Sequence, residues 1–221
     1  DVLSDATAEI ALLLLLGASR RAFEGDQMLR HHTWTHWAPV EMNGIQVTGK
    51  KLGIVGMGRV GQFVAKRARG FDMEIHYSNR SQLPPALEQG AVYHSSVESL
   101  FNTVDMVSLN CPATPDSENM INRESIGWMR DGAVFVNTAR GKLVDEVALI
   151  EALKSGKIAA AGLDVFKTEP GGNPDFAALP NVFMLPHLGS STRETRKAMG
   201  DRALDNLDAC FAGQEPRDRL G

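Results

Sequence analysis

From Lys51 onward, short and continuously apolar runs alternate with amphipathic stretches of helical length. Seven of these runs predict strands, at residues 51–55, 73–78, 91–93, 104–109, 133–136, 159–164 and 182–185. A strand that is apolar at nearly every position is buried on both faces, whereas a half-exposed strand alternates, so the pattern predicts a parallel sheet with helices packed on each side. Among the intervening stretches, residues 145–155 place Leu149, Ala152 and Leu153 on one helical face, and Gly156 stands where a left-handed stop is needed. The pair Pro84–Pro85 and the stretch from Pro112 to Pro115 read as loops.

The segment before Lys51 has its own pattern. The apolar run from Ile10 to Ala18 is too short to span a bilayer and follows acidic rather than basic residues, so it predicts a buried helix and not a membrane or targeting segment. Ser4 or Asp5 as N-cap, Glu9 in the first turn and Arg20 and Arg21 after the run extend that helix from about Asp5 to about Leu29. A helix this apolar at the very start of the chain needs something to pack against. His32 and His36 are four apart, but no acid or cysteine completes a ligand set, so no metal is expected and the histidines read as a solvated helix end.

Composition narrows the ligand rather than the fold. The chain has 221 residues, 43% hydrophobic and 23% charged, with a net charge of −4 and its Lys and Arg scattered. That distribution lacks a nucleic-acid footprint and points to a small-molecule partner. Cys111 and Cys210 have no CxxC partner, which excludes a disulfide framework or zinc site and fits a cytoplasmic location. Cys210, near the end of the last helix, is expected in the core.

The first chemical motif is Gly56-Met57-Gly58-Arg59-Val60-Gly61, directly after the first predicted strand and opening a helix through residues 62–67. In that setting the first glycine allows a tight turn, the second lets a pyrophosphate approach the backbone, and the third lets helix and strand pack closely, with the helix N-terminus facing the anion. An NAD site would end the second strand in an acid that holds the adenosine ribose. Ser78 stands there, followed by Asn79 and Arg80, the last 19 positions beyond Gly61 (80 − 61). Removing a carboxylate and supplying donors and a cation suits a 2′-phosphate, so NADP(H) is the expected cofactor, with NAD possible.

Three further segments begin at or near the ends of predicted strands: Val136-Asn-Thr-Ala-Arg-Gly141, Gly162-Leu-Asp-Val-Phe-Lys-Thr-Glu-Pro170 and Leu185-Pro-His-Leu-Gly-Ser-Ser-Thr192. With the glycine-rich turn, these make the chain resemble the D-isomer-specific 2-hydroxyacid dehydrogenases over essentially its whole length. The resemblance implies a Rossmann-type doubly wound α/β domain at residues 49–190. A crossing and dimerisation segment at 1–48 precedes it, and a helix at 191–221 returns to a second, substrate-binding domain of which only remnants are present. It also implies Arg140 as the substrate-binding cation, His187 as acid/base and Glu169 as its orienting carboxylate. Asp164 is expected at the nicotinamide carboxamide, and Arg59, Val60, Cys111, Pro112, Thr138, Ala139, Gly189 and Ser190 at the cofactor through mostly backbone groups.

The chemistry asks for these types on its own terms. Reduction of a 2-oxoacid needs a cation for the carboxylate, an acid for the developing alkoxide and a carboxylate to favour the protonated imidazole. The Tyr77-Ser78-Asn79-Arg80 end, the Gly162–Phe166 block and Trp34-Thr-His-Trp37 look most like the glyoxylate/hydroxypyruvate reductase branch, in which a tryptophan from this region enters the partner subunit's substrate pocket. Trp34 or Trp37 is the candidate here. Family members also carry an N-terminal segment that this chain, beginning at Asp1, is expected to lack, so nucleotide binding is expected to survive with turnover weak or absent. The alternatives are a nucleotide-sensing binding protein like the corepressors of the same fold, and another NAD-dependent D-2-hydroxyacid dehydrogenase.

Overall fold

All seven apolar runs are strands in the computed structural model, which describes residues 2–219. They are β1 (Lys51–Val55), β2 (Glu74–Ser78), β3 (Val92–His94), β4 (Met106–Leu109), β5 (Ala133–Asn137), β6 (Ile158–Leu163) and β7 (Val182–Met184). The helices are α1 (Ser4–Ser19), α2 (Ala22–Arg30), α3 (Arg59–Arg69), α4 (Pro85–Glu88), α5 (Val97–Thr103), α6 (Arg123–Trp128), α7 (Glu146–Ser155), α8 (Pro174–Ala177) and α9 (Arg193–Phe211). The strands form one parallel sheet in the order β3-β2-β1-β4-β5-β6-β7. The order reverses between β1 and β4, which opens a crevice at the carboxyl ends of those strands.

Alternate residues of each strand feed separate cores. On β5, Val134 and Val136 pack with α1 and α3, while Ala133 and Phe135 pack with α5, α6 and α7. Both layers are therefore built from the same uninterrupted apolar run, which is why the strands lack polar alternation. Asp145 caps α7 by accepting the Val147 and Ala148 amides, and Gly156 ends it at φ +79°.

The N-terminal segment departs from expectation in three ways. The predicted single helix is two, broken where Arg21 takes φ +54° and pairs with Glu24 through Nε–Oε2 at 2.7 Å. The cause is tertiary: Ser19 O, at the end of α1, accepts the Ile45 amide at 2.7 Å, and the loop at Gly44 presses so closely that a Cβ there would lie 2.5 Å from that oxygen. Neither Ser4 nor Asp5 caps α1, because Ser4 is already helical and Leu3 holds the N-cap position; Asp5 instead pairs with Arg67 of α3 at 2.6 Å. Finally, the leucines expected in a dimer are covered by this chain's own sheet. Leu12, Leu14 and Leu15 are buried, a Cβ on Gly162 of β6 would meet Leu14 at 2.7 Å, and one on Gly17 would enter the Phe183 ring of β7.

The exposed helices are elsewhere. No residue of α2 is buried, and His32 and His36 lie beyond its end, not on it. On α9 only Thr195 is buried, and Cys210, one residue from the end of the helix, is exposed rather than in the core because α9 buries almost none of its surface among the described residues.

Candidate active site

The crevice is assembled by close backbone approach. Gly56, at φ +92°, follows β1, and a Cβ there would fall 2.7 Å from the Cys111 amide that follows β4. Gly61 brings α3 onto the same turn, its hypothetical Cβ 2.4 Å from Gly56 O, while Gly58 has nothing within 4 Å. The three motif glycines thus divide as their chemistry demands, two for packing and one for an open face. The first intrahelical bond of α3 runs from the Gln62 amide to Gly58 O at 2.9 Å, so the amides of Arg59, Val60 and Gly61 face outward as an anion-ready end.

Beside this turn, Ser78 is buried at the end of β2, its carbonyl accepting the Gly56 amide at 3.0 Å. Asn79 Oδ1 accepts the Met57 amide at 2.7 Å, so the carboxamide locks the glycine turn and keeps Nδ2 available as a donor. Arg80 is exposed and makes no ion pair among the described residues.

A cleft of about 940 Å³ opens along the ends of β4, β5 and β6, walled by Val60, Cys111, Pro112, Thr138, Ala139, Arg140, Asp164, Glu169, His187, Gly189 and Ser190. The side chain of Asn137, wholly buried, braces the turn after β5 by accepting the Ala139 amide at 3.0 Å and donating to Arg140 O at 3.0 Å. Gly141 then allows that turn to touch the loop after β6, since a Cβ there would overlap the Phe166 backbone. Asp164 fixes the opposite wall: Oδ1 accepts the Leu188 amide and Oδ2 the Gly189 amide, both at 2.7 Å. Burial pushes its carboxyl above the ordinary range, against the pull of those two amides and the His187 ring.

His187 sits at φ +55° in this loop, its amide held by Asp164 O at 2.9 Å. A non-glycine residue in that region persists only where its surroundings over-determine it. Its Nδ1–H donates to Glu169 Oε2 at 2.6 Å, and Glu169 Oε1 accepts the Phe166 amide at 2.8 Å. Partial burial raises the Glu169 carboxyl, but the His187 hydrogen bond, the Phe166 amide and the charges of His187 and Arg140 outweigh it and hold the group below its usual range. A carboxylate pinned on Nδ1 leaves Nε2 as the working nitrogen, and Nε2 has no partner among the described residues.

Two buried polar atoms next to the cleft, Asn110 Oδ1 and Thr138 Oγ1, also have no partner. Such an atom costs about 1–3 kcal/mol while unsatisfied, and these two lie where a polar ligand in the cleft could meet them. With Gly58 open and the α3 amides exposed, the residues fit a dinucleotide. Cys111 is a half-buried wall residue whose thiol is pushed up by burial, the opposite of an activated nucleophile. Trp34 and Trp37 line a separate hollow of about 370 Å³ with Met28 and Leu29 and stay outside this chain's cleft. Sequence reasoning missed Asn137, Gly141 and Asn110, although a polar residue ending an apolar strand is a visible signal for the first. It also missed Leu3 and Thr7 of the N-terminal helix region, which line the cleft only because α1 folds back onto the sheet.

Residues 12–189 match the family described as D-isomer specific 2-hydroxyacid dehydrogenase, NAD binding domain. The chain belongs to this family. A glycerate dehydrogenase from Hyphomicrobium methylovorum is 44% identical over 95% of the chain, and a glyoxylate reductase from Thermococcus litoralis is 43% identical over 97%. The chain spans 66% of the length of each. Among solved structures, a putative family member from a Polaromonas species superposes with a TM-score of 0.98 at 45% identity, covering all of this chain and 69% of that one. An NADPH-dependent glyoxylate/hydroxypyruvate reductase from Sinorhizobium meliloti, in complex with NADP and malonate, gives 0.89 at 34% identity, covering 96% and 65%. The dehydrogenase family thus accounts for the parallel sheet, the glycine turn and the helix after it. No helix among the described residues is long and apolar enough to cross a membrane.

Proposed function

We propose that this protein is a 2-oxoacid reductase, working in reverse as a D-2-hydroxyacid dehydrogenase, that prefers NADP(H) and takes glyoxylate or hydroxypyruvate. The observation that carries the reading is the Glu169–His187 pair at 2.6 Å, in the same cleft as Arg140 and beside the dinucleotide turn. Bound NADPH supplies the hydride. Arg140 binds the substrate carboxylate through its planar guanidinium and polarises the carbonyl. His187 holds a proton at Nε2 and delivers it to the carbonyl oxygen as charge builds there, and Glu169 stabilises the imidazolium from Nδ1. In the reverse direction neutral Nε2 accepts the hydroxyl proton.

The α3 amides at Arg59 and Val60, with the open face of Gly58, would hold the pyrophosphate. Ser78, Asn79 Nδ2 and Arg80 would hold the 2′-phosphate, because no acid stands there to repel it. Cys111, Pro112, Thr138, Ala139, Gly189 and Ser190 would enclose the nicotinamide half, with Asp164 toward its carboxamide. The S. meliloti reductase, bound to NADP, supports this cofactor choice by similarity. We assign α9 to a substrate-binding domain, and α2 with Trp34 and Trp37 to a homodimer interface, since both present apolar side chains to solvent. The unpaired cysteines favour a cytoplasmic setting.

The deciding experiment follows absorbance of reduced nicotinamide with hydroxypyruvate, using NADPH and NADH in turn. Faster oxidation of NADPH supports both reaction and cofactor. Equal or faster oxidation of NADH sinks the cofactor assignment, and binding of NADPH without turnover leaves only a nucleotide-binding protein. Ser78→Asp with Arg80→Ala is expected to turn the preference toward NADH.

A further inference from the structure

The arm that carries Ser78, Asn79 and Arg80 is tied down by a buried phenol. Tyr77, the fourth residue of β2, is fully buried, and its hydroxyl donates to Glu88 Oε1 of α4 at 2.5 Å while accepting the Leu83 amide at 2.9 Å. Gln82 Nε2 donates to the same Glu88 oxygen at 2.9 Å. The Tyr77 ring packs against Tyr93 of β3 at 5.3 Å between centroids, and Arg69 of α3 donates to Glu88 O at 2.9 Å. At the other end of the arm Asn79 is fixed on the Met57 amide. Between these two anchors only Arg80 and Ser81 are exposed without a side-chain hydrogen bond among the described residues.

We propose that Tyr77 and Glu88 are positioning residues for cofactor choice: their hydrogen bond latches the 79–83 arm so that Arg80 is presented to the adenosine 2′-phosphate. This rests on the NADP(H) reading above. The argument is geometric. Arg80 has no ion-pair partner among the described residues, so the position of its backbone sets the region its guanidinium can reach, and that backbone is held on one side by Asn79 and on the other by the Tyr77 hydroxyl. Charge recognition needs its donors held to about half an ångström. If the arm is competent only a fraction of the time, apparent affinity falls by that fraction. A latch that keeps the arm in place most of the time, and whose loss drops the competent fraction to about 10–20%, weakens the phosphate-dependent ligand about 5–10-fold. NADH lacks the 2′-phosphate, so its binding does not draw on Arg80 and is not taxed in this way.

Burial, reinforced by the Glu88 carboxylate, pushes the Tyr77 hydroxyl up to about 12, and the Tyr77 hydroxyl in turn holds Glu88 below the ordinary carboxylate range. The phenol therefore remains a donor and the carboxylate an acceptor across neutral pH.

The test compares the full chain with Tyr77→Phe and Glu88→Leu by titrating NADPH and NADH, read by nicotinamide fluorescence. Tyr77→Phe keeps the buried ring and removes only the hydroxyl. The expected result is a 5–10-fold rise in the NADPH dissociation constant with less than twofold change for NADH, in both variants, and no further loss when Tyr77→Phe is added to Arg80→Ala. Trypsin cleavage after Arg80 is expected to accelerate in Tyr77→Phe and to be suppressed by NADPH. Equal weakening of both nucleotides, or an unchanged ratio with unchanged cleavage, overturns the latch. A wild-type chain with no NADPH preference, and none lost in Arg80→Ala, instead overturns the cofactor reading on which the latch depends; accelerated cleavage in Tyr77→Phe then marks the contact as structural only and overturns its role in cofactor choice as well.

Discussion

At the scale of single residues, the proposed acid/base of the cleft is one imidazole held from behind. The Glu169 carboxyl, held below its usual range, sits 2.6 Å from Nδ1 and fixes the orientation of the ring. Removing that anion while keeping the shape separates orientation from charge. For Glu169→Gln the rate of reduction is expected to fall, with NADPH affinity unchanged within about twofold. For His187→Ala the rate is expected to fall about 10²–10⁴-fold, again with nucleotide affinity intact. Wild-type turnover by His187→Ala rules out the acid/base assignment. The two partners are 18 residues apart and follow different strands, and no periodicity connects them. The roles proposed for them come from resemblance to a family, whereas Asn137 and Gly141, which hold the turn at Arg140, were hidden because their work is against backbone that sequence does not place.

At the scale of elements, the strands were legible because a sheet covered on both sides writes itself as continuous apolar runs. The edges of those runs shifted where side chains had other duties. β4 starts at Met106 rather than Val104 because Val104 closes α5 and Asp105 accepts the Lys51 amide at 3.0 Å. The break after α1 was not legible, since no glycine or proline marks Ser19–Arg21 and the cause lies in a loop beyond residue 40. The β2–β3 edge carries a pH dependence of its own. His76 bonds His94 at 2.9 Å and Glu74 at 2.9 Å, while His94 also meets Ser99 of α5, and Lys51 of β1 lies near Glu74. Burial first, then the neighbouring His76 and Lys51, hold the His94 imidazole below its usual value. The folded protein therefore binds a proton at His94 less readily than the unfolded chain does. Its neutral form is present in both states above the ordinary histidine range, so nothing is lost there. As pH falls below about 6.5 the unfolded chain takes up the proton first and stability declines. Thermal melts at pH 7.5 and 5.5 are expected to show a smaller drop for His94→Gln than for the wild type; an equal drop assigns the acid sensitivity elsewhere.

At the scale of the whole molecule, Phe71, Leu87, Val92 and Val147 are exposed singly, while the other exposed large apolar side chains gather in two places. One is α9, where Leu204, Leu207 and Phe211 are exposed; the other is the α1–α2 side, where Leu13, Phe23, Leu29, Trp34, Trp37 and Val40 are exposed. Scattered single hydrophobic residues need no explanation, but two tryptophans 56% and 77% exposed around one hollow form the kind of aromatic cluster that dominates association energies. Leu12, Leu14 and Leu15 of the leucine-rich run are buried inside the fold and Leu13 is exposed, so the residues after the run carry most of the apolar surface on this side. Sedimentation of the full chain is expected to give a dimer. Truncating a buried interface tryptophan costs about 2 kcal/mol or more, roughly a 30-fold rise in the dissociation constant. Trp34→Ala with Trp37→Ala is accordingly expected to give monomers at concentrations where the wild type is dimeric, with the melting temperature of the isolated fold little changed because neither side chain enters its core. A double variant that stays dimeric moves the interface away from α2, and a wild type that is monomeric at all concentrations removes it.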